Sequence, residues 1–118
     1  MKSELQQRLR SHLDGLARQG KTISYRQLAM LADIPSPMVI RRLARALETV
    51  IREDHAAGIN PSVACLAVSQ ASPAIPRAGF FMLLRELELY NGPDEGSEAE
   101  AFHADCIQQV FEAFYQTD

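Results

Sequence analysis

The residues best suited to chemistry in this sequence are four arginines in one segment, at positions 41, 42, 45 and 52. An arginine side chain stays ionised at every relevant pH, and it binds a phosphate or pairs with guanine through two hydrogen bonds. At 100° per residue in a helix, Arg41, Arg45 and Arg52 lie within about 40° of one another. The same outer side carries three further candidate contacts, Met38, Arg42 and Thr49. This pattern predicts a surface for a polyanion.

An acidic residue in the same stripe leaves a second interpretation open. Glu48 is spaced to pair with Arg52 four residues later or with Arg45 three residues earlier. Such pairs would use part of the positive charge within the helix. The alternative interpretation is therefore a basic helix face that is only solvated.

The cysteines and histidines are the other candidates for chemistry. Cys65 and Cys106 are expected to be free, buried thiols. His103 and Cys106 lie three residues apart, but zinc needs three or four protein ligands, so no metal site is predicted. A nucleophilic pair of either cysteine with His55 or His103 stays open, because such a pairing would be spatial. No phosphate-binding loop and no paired carboxylates occur, so the sequence predicts no cofactor and no enzyme.

The elements that must position these residues follow from apolar spacing, capping residues and turns. The spacing predicts helices over residues 3–20, 25–31, 37–57 and 80–90, and a last helix from Ser97. Ser24 is the expected N-cap of the second helix, and Ser36 with Pro37 is expected to start the third. Residues 62–68 form an apolar run typical of a strand, and residues 70–79 are predicted to be an extended loop.

The boundaries of the later helices rest on local signals. Gly58 is the expected stop of the third helix, although a break near Asp54 stays open. Residues 91–93, Asn-Gly-Pro, are expected to end the fourth helix. Ser97 and Glu100 form a capping-box pattern for the last one. The aromatic residues near its end are expected to be core or dimer-seam residues rather than a stacking platform for bases: Phe111, Phe114 and Tyr115.

This order predicts one domain over residues 1–118 that is mainly α with a small β element: a winged helix-turn-helix with two additional C-terminal helices. Residues 22–79 would hold the helix-turn-helix and the wing, and residues 80–118 a helical extension. In such modules the third helix enters the major groove. Further DNA contacts are expected around the start of the second helix, in the turn and in the wing: Ser24, Tyr25, Arg26, Ser36 and Arg77.

Charge and composition set the expected partner and location. The net charge of −3 hides a basic half, with ten Lys/Arg against six Asp/Glu up to residue 59, and an acidic half, with two against nine. This asymmetry favours a polyanion-binding face on an acidic body. No run approaches the roughly 18 to 20 apolar residues of a membrane span, and no secretory signal is visible. We therefore expect a cytoplasmic protein without a membrane partner.

Residues 22–87, a little over half of the chain, resemble the winged-helix DNA-binding domain of alkylguanine-DNA alkyltransferases and alkyltransferase-like proteins. The matching features are the run Ile-Ser-Tyr-Arg-Gln-Leu-Ala at 23–29, the Ile-Pro-Ser turn at 34–36, the arginine-bearing third helix, the Asn-Pro pair at 60–61 before the apolar strand, and a Gly79-led aromatic segment entering a leucine-rich helix. The resemblance implies the same fold and a similar mode of DNA binding.

The chain departs from that family where the chemistry would occur. The alkyltransferases carry Pro-Cys-His-Arg-Val around the acceptor thiol, whereas residues 64–69 here are Ala-Cys-Leu-Ala-Val-Ser. Cys65 has no neighbouring histidine or arginine and is expected to lie in mid-strand. An apolar setting raises the pKa of a thiol and makes it inert, so the methyl-accepting activity is not expected here.

Two functions of different classes remain. The first is a small winged-helix protein that binds duplex DNA through the third helix and the wing, as a regulator or accessory factor without catalytic activity. The second is a protein-interaction or dimerisation module of the same architecture without DNA binding. It is favoured by the acidic half and by the aromatic last helix, through which a homodimer would form.

Overall fold

The chain forms five helices and one pair of short strands within residues 3–115, the part that the computed structural model describes. The elements in chain order are α1 (Glu4–Gln19), β1 (Ile23–Ser24), α2 (Tyr25–Leu31), α3 (Val39–Ala56), a 3₁₀ helix (Val63–Leu66), β2 (Ala67–Val68), α4 (Ala78–Glu86) and α5 (Ser97–Tyr115). The predicted class, mainly helical with a small β element, is confirmed. Within the described part, no helix combines the length and the apolar character needed to cross a membrane.

The first two helices begin and end close to the predicted residues. The hydroxyl of Ser3 accepts a hydrogen bond from the Gln6 amide, and α1 ends at Gly20, whose φ of 68° is left-handed. The hydroxyl of Ser24 accepts from the Gln27 amide at 3.2 Å, so the predicted N-cap of α2 is confirmed.

The predicted start of the third helix is wrong. Ser36 and Pro37 lie outside α3, which begins at Val39 with Met38 as its N-cap. Met38 has a φ of 59° and its side chain makes no capping hydrogen bond. The chain therefore enters α3 through a left-handed residue, which the propensity of Ser-Pro for helix starts did not indicate.

The third helix is continuous to Ala56, so the break near Asp54 does not occur, and Gly58 follows its end with the predicted left-handed backbone, at φ 77°. Asp54 is buried and holds this end in place. Its carboxylate accepts hydrogen bonds from Arg10 of α1 at 3.0 Å and from the Ser62 hydroxyl at 2.7 Å. The end of α3 is thus tied to α1 and to the segment that follows.

The predicted strand over residues 62–68 is also wrong for most of its length. The Ser62 hydroxyl accepts a hydrogen bond from the Ala64 amide, and the Ser62 carbonyl accepts one from the Cys65 amide. These two bonds close a 3₁₀ turn, which leaves only Ala67 and Val68 extended. Cys65 therefore lies in a 3₁₀ helix rather than in mid-strand.

The strand pair differs from the ribbon of a wing. Ile23 pairs with Ala67 and Ser24 with Val68, in parallel. Since a ribbon is an antiparallel hairpin, β2 and the following loop do not build one within residues 3–115. Instead, the parallel pair joins the start of α2 to the segment after the 3₁₀ helix.

The fourth helix is shorter than predicted. It ends at Glu86, where Glu88 takes a φ of 62° and the Leu89 amide donates to the Leu84 carbonyl, so residues 91–93 do not end it. The last helix begins at Ser97 itself, with Gly96 before it, so Ser97 is the first helical residue and not the cap.

One cluster of buried side chains joins all five helices. Its members include Leu9, Leu28, Leu43, Leu66, Leu83 and Val110. Phe111 and Phe114 pack against this cluster, as expected for core residues, whereas Tyr115 is exposed. Helices α4 and α5 are therefore part of the core that supports α3, and the aromatic face of α5 is largely used inside the molecule.

Candidate nucleic-acid interface

The outer face of α3 carries the arginines that the sequence singled out. Its inner face is buried through Leu43, Ala46, Leu47, Val50, Ile51 and Asp54. Arg41, Arg42, Arg45, Thr49 and Arg52 are all exposed, as is Met38 before the helix. Burial of one face against the core thus leaves the arginine stripe in solvent, as the 3.6-residue period requires.

The arginines of the stripe differ in what they bind. Arg42 donates to the Pro35 carbonyl at 3.2 Å, and Arg52 pairs with Glu86 of α4 at 2.7 Å. Arg41 and Arg45 form no ion pair with any residue in the described range 3–115. Among the described residues, these two guanidinium groups are therefore the ones in the stripe with neither an ion pair nor a hydrogen bond that a ligand must displace.

Among the described residues, Glu48 forms neither of the two pairs within the helix that its spacing allowed. Arg52 binds Glu86 instead, and Arg45 makes no salt bridge with Glu48 among the described residues. Glu86 is the contact that sequence reasoning missed, because a pair 34 residues apart depends on the packing of α4 beside α3. Any phosphate that contacts Arg52 must displace the Glu86 carboxylate or share the Arg52 guanidinium with it.

A cavity of about 470 Å³ lies along one flank of the stripe. Its wall is mainly apolar and includes Ile40, Ala44, Leu47, Ile51, Ala64 and Phe80. Arg41, Glu48 and Arg77 supply the charged groups of its lining. The structure thus brings Arg77, which is 36 residues away in sequence, to the same cavity as Arg41.

Tyr25 fixes the position of the Arg77 segment. Its hydroxyl accepts a hydrogen bond from the Arg77 amide at 2.8 Å, and the Arg77 guanidinium carbon lies 5.9 Å from the centre of the Tyr25 ring. Burial raises the pKa of Tyr25, and the hydrogen bond and positive charge of Arg77 oppose this rise. The start of α2 and the loop before α4 are therefore one connected wall of the cavity.

Three other predicted DNA contacts, Ser24, Arg26 and Ser36, do not line the cavity. The Ser24 hydroxyl is used in capping α2, whereas Arg26 is exposed on the first turn of that helix. Ser36 is exposed in the turn before α3. The cavity links Tyr25, Arg41 and Arg77 directly, whereas Ser24 and Arg26 lie at the start of α2 and the other predicted contacts lie on α3 or shortly before it.

The two thiols are buried away from solvent. Burial raises the pKa of Cys65, as expected, and the nearby Cys106 raises it further. Burial, followed by the charge of Asp105, raises the pKa of Cys106 to about 12. Thiolates are the reactive form, so neither group is prepared for nucleophilic chemistry near neutral pH.

His103 serves the backbone rather than a thiol or a metal. It is buried, and its Nε2 lies 2.8 Å from the carbonyl oxygen of Cys65. Since a carbonyl only accepts, the ring donates its Nε2–H to that oxygen. No three His, Cys, Asp or Glu side chains come together as a metal site in the described part of the chain.

The buried imidazole predicts a pH dependence of stability. Burial lowers the pKa of His103 below its ordinary value of 6.5, and the bond to Cys65 opposes this shift. The unfolded chain then binds a proton more readily, so the free energy of unfolding should fall as the pH drops below about 6.5. Urea titrations of the wild type and His103→Gln at pH 7.5 and 5.5 measure this. The loss on acidification should be smaller in the variant, and an equal loss in both would contradict the assignment.

Comparisons with models of protein families, with curated proteins and with solved structures give no match to this chain.

Proposed function

We propose that this protein binds duplex DNA through the outer face of α3, with the loop before α4 as a second contact and without catalysing a reaction. The observation that carries this proposal is the pair of exposed arginines, Arg41 and Arg45, one helical turn apart and free of ion pairs among the described residues. Such groups bind phosphates by charge and read guanine by paired hydrogen bonds.

The surroundings of this pair support a helix that enters a groove. The arginines project from a helix whose opposite face is anchored in the core, and α2 with its turn precedes that helix in the order of a helix-turn-helix. Arg77 adds a third cation beside Arg41, and the Tyr25 hydroxyl holds its segment in place. The resemblance of residues 22–87 to the alkyltransferase DNA-binding domain favours the same face.

The wing in this proposal is the loop at residues 69–77, not a β-ribbon. A hydrogen bond from the Ser69 amide to the Ile75 carbonyl, 2.9 Å long, closes the loop upon itself. Its last residue, Arg77, faces the cavity beside α3. A loop tied at both ends in this way positions one cation next to the helix, which is the part of a wing that contacts the phosphate backbone.

Absence of enzymatic activity is part of the proposal. The thiol that would correspond to the alkyl acceptor, Cys65, is fully buried, and its neighbours in sequence are apolar. His103 donates to the backbone of the same segment. The cavity beside α3 is lined by Ala64 and not by a polar nucleophile from that segment.

Fluorescence anisotropy of a labelled duplex of about 20 base pairs, titrated with the protein at low salt, tests the proposal. We expect saturable binding by the protein. An unstructured peptide with the same net charge as the protein should give a smaller change in anisotropy. No detectable binding to any of several unrelated duplexes at low salt would contradict it. Sedimentation of the free protein tests the alternative at the same time, because an interaction module would instead form a dimer without affinity for DNA.

A further inference from the structure

An exposed methionine lies at the start of the arginine stripe. Met38 is 57% exposed and precedes the first residue of α3, and its carbonyl accepts the hydrogen bond of the Arg42 amide at 3.0 Å. Arg41 follows three residues later and Arg45 seven residues later. An apolar, polarizable side chain thus stands beside cations that have no ion-pair partners in the described part of the chain.

The position of this methionine is set by the structure around it. The Arg42 side chain donates to the Pro35 carbonyl at 3.2 Å, which ties the first turn of α3 to the loop in front of it. On the other side of the loop, the Ile34 amide donates to the Ala29 carbonyl of α2. Both ends of the segment that carries Met38 are therefore anchored, so the backbone presents this side chain at the start of the stripe.

The combination of charge and apolar surface favours one occupant. A ligand for this patch must be anionic where it meets the arginines and apolar where it meets the thioether. The major groove of DNA has this pattern, because phosphates flank it and the C5-methyl group of thymine projects into it. In a helix that enters the groove by its first turns, the residues at its start contact the base edges.

We infer that Met38 reads the C5-methyl group of a pyrimidine in the major groove, which makes it a specificity-determining residue of the DNA-binding face. This inference rests on the proposed function. Thymine and 5-methylcytosine present the same methyl group. The rise of 1.5 Å per residue places Arg45 about 10 Å along α3 from its start at Met38, so the two side chains contact different parts of a bound duplex.

Duplexes that differ only in methyl groups test the inference. The first pair has one A·T-rich sequence, made with thymine or with deoxyuridine, and the second has one G·C-rich sequence, made with cytosine or with 5-methylcytosine. Burial of one methyl group corresponds to a factor of about four in affinity. The wild type should therefore bind the thymine duplex about fourfold more tightly than its deoxyuridine counterpart. A similar gain on 5-methylcytosine assigns the contact to the methyl group whatever the base, and a gain on thymine alone assigns it to thymine.

A variant of Met38 separates this contact from effects of the methyl groups on the DNA itself. Met38→Asn removes the thioether and keeps a residue that tolerates the left-handed backbone at φ 59°. Met30→Asn is the matched control, because Met30 is 75% exposed at the other end of the turn. Thermal melts confirm folding. The fourfold preference should disappear in Met38→Asn and persist in Met30→Asn.

The outcomes distinguish a failure of the role of Met38 from a failure of the proposed DNA binding. Equal binding of the thymine and deoxyuridine duplexes by the wild type, or an unchanged preference in Met38→Asn, would overturn the role of Met38 and leave DNA binding intact. Failure to bind any duplex at low salt would overturn the proposed function as well. Self-association that Met38→Asn abolishes would assign the patch to a protein contact and overturn the inference.

Discussion

The double substitution Arg41→Ala, Arg45→Ala should weaken binding to duplex DNA by about 30-fold or more at low salt. Each guanidinium that contacts a phosphate or a base contributes about 1 kcal/mol or more, and two such losses correspond to this factor. Neither side chain forms an ion pair among the described residues, so the double substitution removes no ion pair that stabilises the fold. Anisotropy titrations with one duplex and a matched melting curve measure the effect.

Arg18→Ala is the control for this pair. Arg18 lies on α1, with its guanidinium carbon 5.6 Å from the Phe114 ring of α5, so its charge belongs to a contact between those two helices. Its removal should change the affinity for DNA only slightly, through the long-range field. A loss for Arg18→Ala as large as that for the double variant would mean that the net charge, and not the face of α3, determines binding.

The largest expected effect on stability comes from Asp54→Ala, which should lower the free energy of unfolding by about 3 kcal/mol. The carboxylate is buried and receives the Arg10 guanidinium at 3.0 Å and the Ser62 hydroxyl at 2.7 Å. Without the Asp54 carboxylate, the partly buried Arg10 guanidinium loses one of its partners and the Ser62 hydroxyl loses its acceptor. Urea unfolding measures the change.

Glu53→Ala separates burial from charge. Glu53 also binds Arg10, at 3.3 Å, but its side chain is 32% exposed, against 6% for Asp54. Because solvent screens the more exposed pair, this variant should cost about 1 kcal/mol or less. Equal losses for the two variants would show that the Arg10 contact alone, and not the buried network with Ser62, stabilises the end of α3.

The parts of the fold that local sequence patterns determine were predicted well. Helix α3 carries a strong apolar period, so its inner and outer faces follow from spacing alone, and Ser24 and Gly58 mark ends through their own backbone and side-chain chemistry. The arginine stripe belongs to this class. Its exposure needs no knowledge of the rest of the chain beyond the burial of Leu43 and Val50.

The parts that were predicted wrongly depend on local backbone turns and on contacts between distant residues. The run at 62–68 has the composition of a strand, but the Ser62 side chain turns it into a 3₁₀ helix, and β2 then pairs with β1, more than 40 residues earlier. Met38 begins α3 with a backbone that methionine rarely adopts. Glu86 meets Arg52 only because α4 packs beside α3. Apolar spacing and composition indicate none of these features.

The structure relates the charge asymmetry along the chain to particular contacts of the arginines on α3. The basic half contains α3, where Arg52 pairs with Glu86, Arg42 donates to the Pro35 carbonyl, and Arg41 and Arg45 have neither kind of partner in the described range. The acidic half contributes one of those partners. If DNA binds this face as proposed, Glu86 of α4 would compete with its phosphates for Arg52.

The salt dependence of duplex binding tests the central claim most directly. If the face of α3 contacts phosphates through Arg41, Arg45 and neighbouring cations, the logarithm of the association constant should fall linearly with the logarithm of the salt concentration, with a slope of about −0.9 per phosphate contact. The double variant Arg41→Ala, Arg45→Ala should show a shallower slope, by about one to two contacts. A wild-type affinity that does not change with salt, or an equal slope in the variant, would contradict the account.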